Sequence, residues 1–168
     1  DLKRIFGNPR SELLLVSPYF VPGAAGGRSF IEMAGRGVTV QILTNSLEAT
    51  GVAAVHAGYA KRRRALLSAG VTLYESRRQR EAAASGNPSG PMGSSASSLH
   101  AKTFAVDGTS VFVGSFNFDP RSAHLNTELG FVIDSAELAS RVRSVFAGAI
   151  PDNSYRVHLS PAGGLFWT

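Results

Sequence analysis

The sequence predicts an α/β domain built on one mixed central β-sheet with helices on both faces, and three observations carry that prediction. Short apolar runs rich in β-branched residues alternate along the chain with stretches of helical period. Several runs are nearly continuous in apolar residues, the pattern of strands covered on both faces. At 168 residues and 43% hydrophobic content the chain is long enough for one substantial core, and no internal repeat is evident, so residues 1–168 are read as a single domain.

Each element has its own justification. Glu12–Val16 (ELLLV) is the first predicted strand, its three consecutive leucines leaving no polar face. A helix over Arg28–Gly35, stopped by Gly35 or Gly37, leads to a strand over Val38–Thr44. A longer helix over Val52–Ser68, stopped by Gly70, leads to a strand over Val71–Glu75. Gly86–Ser98 (GNPSGPMGSSASS) is dominated by Gly, Pro and Ser and is predicted as a mobile loop, either a rim or lid over a site or a plain linker. Strands over Leu99–Val106 and Ser110–Gly114 flank Asp107-Gly108, the strongest short-range hairpin signal in the chain. In LNTELGFVI, Leu125, Thr127, Leu129 and Phe131 alternate with Asn126, Glu128 and Gly130, which predicts a strand over Thr127–Ile133 with Asn126 and Glu128 on its polar side. Ser135 is placed to cap a helix over Ala136–Phe146, and the chain stops at Phe166-Trp167-Thr168 just after what reads as a further strand.

The hairpin gathers chemistry. With Asp107-Gly108 as a two-residue loop, Val106 pairs with Thr109 and His100 falls opposite Ser115, so strand alternation puts His100, Lys102, Ser115 and Asn117 on one face. Asp107 then sits in the turn, where it shapes the loop and touches no substrate. A phosphodiester is anionic and resists attack; its cleavage needs a nucleophile, positive charge on the non-bridging oxygens, and a proton for the leaving oxygen. His100 is the candidate nucleophile, and Lys102, Asn117 and Ser115 are candidates to hold the oxygens.

Composition sets limits. There are 17 Lys plus Arg against 12 Asp plus Glu, a net charge of +5 that favours anionic partners, phospholipid head groups or nucleic acid, without choosing between them. The absence of cysteine excludes a disulfide framework, a thiolate metal site and a cysteine nucleophile. No apolar stretch approaches the roughly 20 residues that span a bilayer, so any membrane contact is expected to be peripheral. Gly-rich nucleotide cradles are absent and the histidines lack metal-ligand spacing, so no cofactor or metal is implied.

The spacing His100-x-Lys102-x4-Asp107-x6-Gly114-Ser115-x-Asn117 resembles the HxKxxxxD motif, with its GSxN extension, of the phospholipase D superfamily. Ser11–Gly23 (SELLLVSPYFVPG), Val38–Glu75 and Phe116–Gly130 (FNFDPRSAHLNTELG) look like the second half of a bacterial cardiolipin synthase. The resemblance implies one phospholipase D-like half-domain. In that family two halves share a chain, each supplies one motif, and the joint site transfers a phosphatidyl group between phospholipids such as phosphatidylglycerol through a phosphohistidine, at the periphery of a bacterial membrane. It also implies that Glu128 binds the non-attacking ring nitrogen of His100. His56, in AVHAGY, belongs to the same signature and either lines a lipid site or is a satisfied structural histidine.

The sequence departs from that family in holding one motif only: His56, His124 and His158 are not followed two residues later by lysine. A second phospholipase D-like half or subunit is therefore expected, and the chain, opening at Asp1 without methionine, reads as a piece of a longer protein. One alternative is a homodimeric phosphodiesterase or endonuclease in which two copies complete one site. Another is a non-catalytic domain that binds anionic lipid. Three basic features remain. Lys61-Arg62-Arg63-Arg64 is expected as a solvated helix surface. Arg77, Arg78 and Arg80 either meet lipid phosphates or nucleic acid or are solvated. Arg121 either contacts the phosphate or the partner half, or pairs with Asp119 at a turn.

Overall fold

A computed structural model describes residues 6–50, 52–77 and 99–168; the predicted loop Gly86–Ser98 and the candidates Arg78 and Arg80 lie outside the described residues. The strands are β1 (Glu12–Val16), β2 (Thr39–Asn45), β3 (Thr72–Ser76), β4 (Thr103–Val106), β5 (Ser110–Gly114), β6 (Gly130–Asp134), β7 (Ser154–Leu159) and β8 (Leu165–Trp167). They form one eight-stranded sheet in the order β6-β5-β4-β1-β2-β3-β7-β8. β1, β2 and β3 are parallel and every other pairing is antiparallel, so the sheet is mixed as expected.

The helices are α1 (Gly23–Gly35), α2 (Ala53–Ala60), α3 (Arg63–Ser68), α4 (Pro120–His124), α5 (Ala136–Ala147) and α6 (Ala149–Asn153). The leucine run of β1 explains their placement. Leu13 and Leu15 pack on one side with Phe30 of α1, Tyr59 of α2 and Leu66 of α3, while Leu14 packs on the other with Phe146 of α5 and Ile150 of α6. All three leucines are at most 1% exposed, because the central strand is covered on both faces. Ser135 caps α5, its hydroxyl accepting from the Leu138 N–H at 3.2 Å.

Four expectations change. The helix predicted over Val52–Ser68 is two helices, because Arg62 N–H bonds the Tyr59 carbonyl three residues back and the tightened turn ends α2. The strand predicted from Leu99 begins at Thr103, and the one predicted from Thr127 begins at Gly130. The hairpin register is shifted by one residue: Val106 pairs with Ser110 and Thr103 with Val113. Its loop is Asp107-Gly108-Thr109, with Asp107 at φ 53° and Gly108 at φ 66°.

The cause of the register shift is long-range. The Asp107 carboxylate accepts the backbone N–H groups of Arg10, Ser11 and Glu12 at 2.8–3.0 Å and the Ser11 hydroxyl at 3.1 Å, tying the turn to the start of β1. Partial burial pushes its pKa up, but the N–H donors of Ser11, Glu12 and Arg10 outweigh that and hold it below the usual carboxylate value. A carboxylate depressed in the folded state contributes stability above its unfolded pKa and loses it as pH falls through the folded value. Asp107→Asn is therefore expected to cost about 2–3 kcal/mol near neutral pH. Its unfolding free energy should also fall less steeply than the wild type's below pH 4, a difference measured by denaturant titration across pH.

Candidate active site

Strand direction assembles the site. β1 and β2 end at Val16 and Asn45; β4 runs antiparallel to β1, so the residues before it arrive at the same edge, as do those after β5 and before β6. This is the carboxyl edge of the parallel strands, where open α/β sheets form their crevices. Pro18 and Tyr19 after β1, Asn45, His100 to Lys102, Ser115 and Asn117 all line one cavity of about 960 Å³ there. Asp107, in the β4–β5 turn, lies at the opposite edge.

His100, Lys102, Ser115 and Asn117 thus meet, although the pairing expected to align them is wrong. In the observed register Lys102 bonds Gly114, whose N–H donates to the Lys102 carbonyl at 3.1 Å, and His100 does not face Ser115 in a ladder. The chain leaves the sheet on both sides of that last rung, and alternation no longer decides which side chains meet. Lys102 Nζ donates to the His100 carbonyl at 2.9 Å. Burial lowers the Lys102 pKa from its ordinary value, opposed by the negative charge of Glu128. His100 is exposed, and its ring makes no hydrogen bond to a described residue.

Asn117 is aimed by its neighbours. Phe118 stacks on Phe6 at 5.0 Å, Phe116 meets Phe118 edge-on at 5.2 Å, and Phe118 N–H donates to Ser17 Oγ at 3.1 Å. With both flanking rings drawn into the core, Asn117 is left on the cavity wall, its Oδ1 buried without a hydrogen-bond partner among the described residues.

Glu128 is placed differently from expectation. It makes no hydrogen bond to His100. Its carboxylate accepts from the Ser115 hydroxyl and from Asn126 Nδ2, the latter at 3.3 Å. Burial pushes its pKa up, but Ser115, Ser122 and Asn126 and the Lys102 charge outweigh that and lower it. Ser115 Oγ also accepts from Leu129 N–H at 3.0 Å, so residues 128–129 are strapped to the end of β5. A Cβ on Gly114 would strike the Leu129 carbonyl, the Phe112 ring and Gly130 Cα, which explains glycine at that position. Gly114→Ala is expected to cost about 1–3 kcal/mol and to displace the strap, read as a lowered Tm together with lost activity.

The other candidates separate. Asp119 caps α4, and it is the Arg121 backbone N–H that it holds at 2.8 Å, with no ion pair from the Arg121 guanidinium among the described residues. His158 bonds Thr168 Oγ1 at 2.9 Å and stacks on Phe166 at 4.8 Å. His56 is buried and lines a neighbouring cavity of about 460 Å³ with Arg63, Glu75 and Trp167; burial lowers its pKa. Of the basic run expected as a solvated surface, Lys61 and Arg64 are exposed, but Arg63 pairs with buried Glu75 at 3.0 Å and lies over the Tyr59 and Trp167 rings. Tyr19 and Asn45 were missed as cavity residues; a polar residue ending an apolar strand in a parallel sheet is the signal that marks Asn45.

The family model described as cardiolipin synthase, PLD-like domain, matches residues 2–150. Cardiolipin synthase C of Escherichia coli (strain K12) is 47% identical over 163 residues, covering 97% of this chain and 34% of that protein. Cardiolipin synthase A of Pectobacterium carotovorum subsp. carotovorum (strain PC1) is 32% identical over 138 residues, covering 81% of this chain and 24% of that protein. The chain thus spans about a third or less of the length of these relatives. Among solved structures, the phospholipase D family member Nuc from Salmonella typhimurium superimposes with a TM-score of 0.67 at 19% identity, covering 94% of this chain and 88% of that one. Phosphatidylserine synthase from Haemophilus influenzae Rd KW20 gives 0.61 at 15% identity, covering 92% of this chain and 35% of that one. At these identities the two structures share its fold.

Proposed function

Since this chain belongs to the cardiolipin synthase, phospholipase D-like domain family, we propose that it is one catalytic half of an enzyme that transfers a phosphatidyl group between phospholipids through a phosphohistidine. The observation that carries this reading is the convergence of His100, Lys102, Ser115 and Asn117 on one open cavity.

The chemistry follows from those groups. A histidine ring nitrogen attacks phosphorus, the bond to the departing alcohol breaks, and the alcohol oxygen takes a proton from the histidine of a second half. The incoming hydroxyl then returns a proton to that histidine and attacks phosphorus as the P–N bond breaks. His100 supplies one of the two histidines, nucleophile or acid/base counterpart. Lys102 and the Asn117 amide face the non-bridging oxygens, where positive charge and N–H donors stabilise the transition state. The Ser115 hydroxyl proton is committed to Glu128; Ser115 reaches the phosphate, and Glu128 orients His100, only when that bond is exchanged.

The substrate in this reading is an anionic phospholipid such as phosphatidylglycerol, met at the periphery of a bacterial membrane. The net charge of +5 supports such a surface, and no described helix is long and apolar enough to cross a membrane. The second half comes from the same longer chain, in keeping with the single HxK motif and the share of cardiolipin synthase C that is matched. Product analysis on phosphatidylglycerol vesicles tests the proposal. Cardiolipin plus glycerol supports transfer, whereas phosphatidic acid points to hydrolysis. Cut DNA with intact lipid points to two copies acting as a nuclease, and vesicle binding without turnover to a binding domain.

A further inference from the structure

Asn117 sits on a segment that no sheet ladder holds. β5 ends at Gly114 and α4 starts at Pro120, and between them only an isolated bridge pairs Phe118 with Phe20. The chain leaving β1 is, by contrast, fixed against β2. Ser17 N–H donates to the Leu43 carbonyl at 3.0 Å, and Thr44 Oγ1 donates to the Pro18 carbonyl at 3.2 Å. Ser17, Phe20 and Thr44 are all at most 3% exposed.

One hydroxyl joins the fixed segment to the loose one. Ser17 Oγ donates to the Tyr19 carbonyl at 2.7 Å and accepts the Phe118 N–H at 3.1 Å, a contact between residues 101 apart in sequence. The single hydroxyl proton goes to Tyr19, so it is an oxygen lone pair that holds Phe118. Val21 N–H donates to the Phe118 carbonyl, so both backbone polar groups of Phe118 are bound by the chain leaving β1. Ser17 is 1% exposed, and at that depth water does not replace a lost acceptor.

Resting on the phosphodiester chemistry proposed above, we infer that Ser17 is a positioning residue for the reaction: its hydroxyl sets where the Asn117 amide stands on the catalytic cavity. Ser17 lies outside the HxK and GSxN motif, and it acts through Phe118 without touching the substrate. Asn117 precedes Phe118 by one residue, so any shift of the Phe118 backbone carries the amide with it. A misplacement of about 1 Å in a group that stabilises a transition state costs on the order of a hundredfold in rate.

The test is a pair of double-mutant cycles on kcat in the protein carrying both halves, with each rate taken per folded protein below that variant's thermal transition. Ser17→Ala is expected to lower kcat by about tenfold to a hundredfold and to change KM by less than about threefold. In an Asn117→Ala background the same change should cost less than about twofold, because the group it misplaces is gone. In a Lys102→Ala background it should keep its full cost, since Lys102 is held by the His100 carbonyl and not by Phe118. An equal cost in all three backgrounds, an equal loss of effect in both variant backgrounds, or an unchanged kcat in Ser17→Ala overturns the inference. Where Ser17→Ala does not fold, Ser17→Cys carries the same cycles, its thiol filling the site but accepting only weakly. If the wild type turns over no phosphodiester, the reaction proposed above fails, and crystal structures then judge Ser17 by itself. Asn117 displaced from the cavity wall in Ser17→Ala supports the inference, and Asn117 superimposing on the wild type overturns it.

Discussion

His100→Ala is expected to abolish turnover in the protein carrying both halves, lowering kcat by about four orders of magnitude or more. Alanine can neither form the P–N bond nor hold a proton, and groups that act as a unit fail together when one is removed. The fold should not be affected: His100 is exposed, and its ring makes no hydrogen bond to a described residue. A surface truncation of this kind shifts stability by about 0.5 kcal/mol or less. Lys102→Ala is expected to cost less, about two to three orders of magnitude, because it removes charge stabilisation and keeps the nucleophile. Steady-state rates on phosphatidylglycerol vesicles, run beside thermal unfolding and vesicle sedimentation, check both. Full activity in His100→Ala would remove this residue from the reaction.

Arg63→Met should produce the largest loss of stability. Glu75 is 3% exposed, and its carboxylate is held by Arg63 at 3.0 Å on one oxygen and by Trp167 Nε1 at 3.0 Å on the other. Removing the guanidinium leaves a buried carboxylate without its countercharge, at a cost of about 3–5 kcal/mol. For a chain of this size that lowers Tm by roughly 6–20 °C. Restoring neutrality with Arg63→Met plus Glu75→Gln should recover more than half of the loss, because the penalty comes from the unpaired charge. Calorimetry of the single and double variants measures it. An additive double variant would show that Arg63 acts through packing on Tyr59 and Trp167, and that its charge is incidental.

Much of the site was legible in local pattern. The strands β1 and β5 fall where the apolar runs begin and end, and the HxK and GSxN residues line one cavity. Positions that depend on partners far along the chain were not legible. The hairpin register follows from Asp107 reaching Ser11, 96 residues away, and the fate of Arg63 from a glutamate that also bonds Trp167, 92 residues from it. β7 and β8 complete the sheet beside β3 and bring Trp167 to that cluster, and the sequence reading had only a further strand at the chain end. Alternation predicted a strand with Glu128 on its polar side, whereas Glu128 lies before β6 and is half-buried with Leu125 and Leu129 exposed around it. Its partner, Ser115, was set by how residues 125–129 fold back before β6 begins.

Periodicity and motif spacing alone were enough for the α/β class, the hairpin between β4 and β5, and the set of motif side chains that line one cavity. The class and the hairpin depend on neighbours within a few residues, where covalent geometry and turn chemistry leave few choices, and the residues flanking the hairpin strands then arrive together at one edge of the sheet. Tertiary contact decided the one-residue register, the burial of Arg63 and the bond between Glu128 and Ser115. Each of these is a choice of partner for a charge or a hydrogen-bonding group, and a buried or half-buried polar group takes whichever complementary group the fold brings within reach, at any distance along the chain.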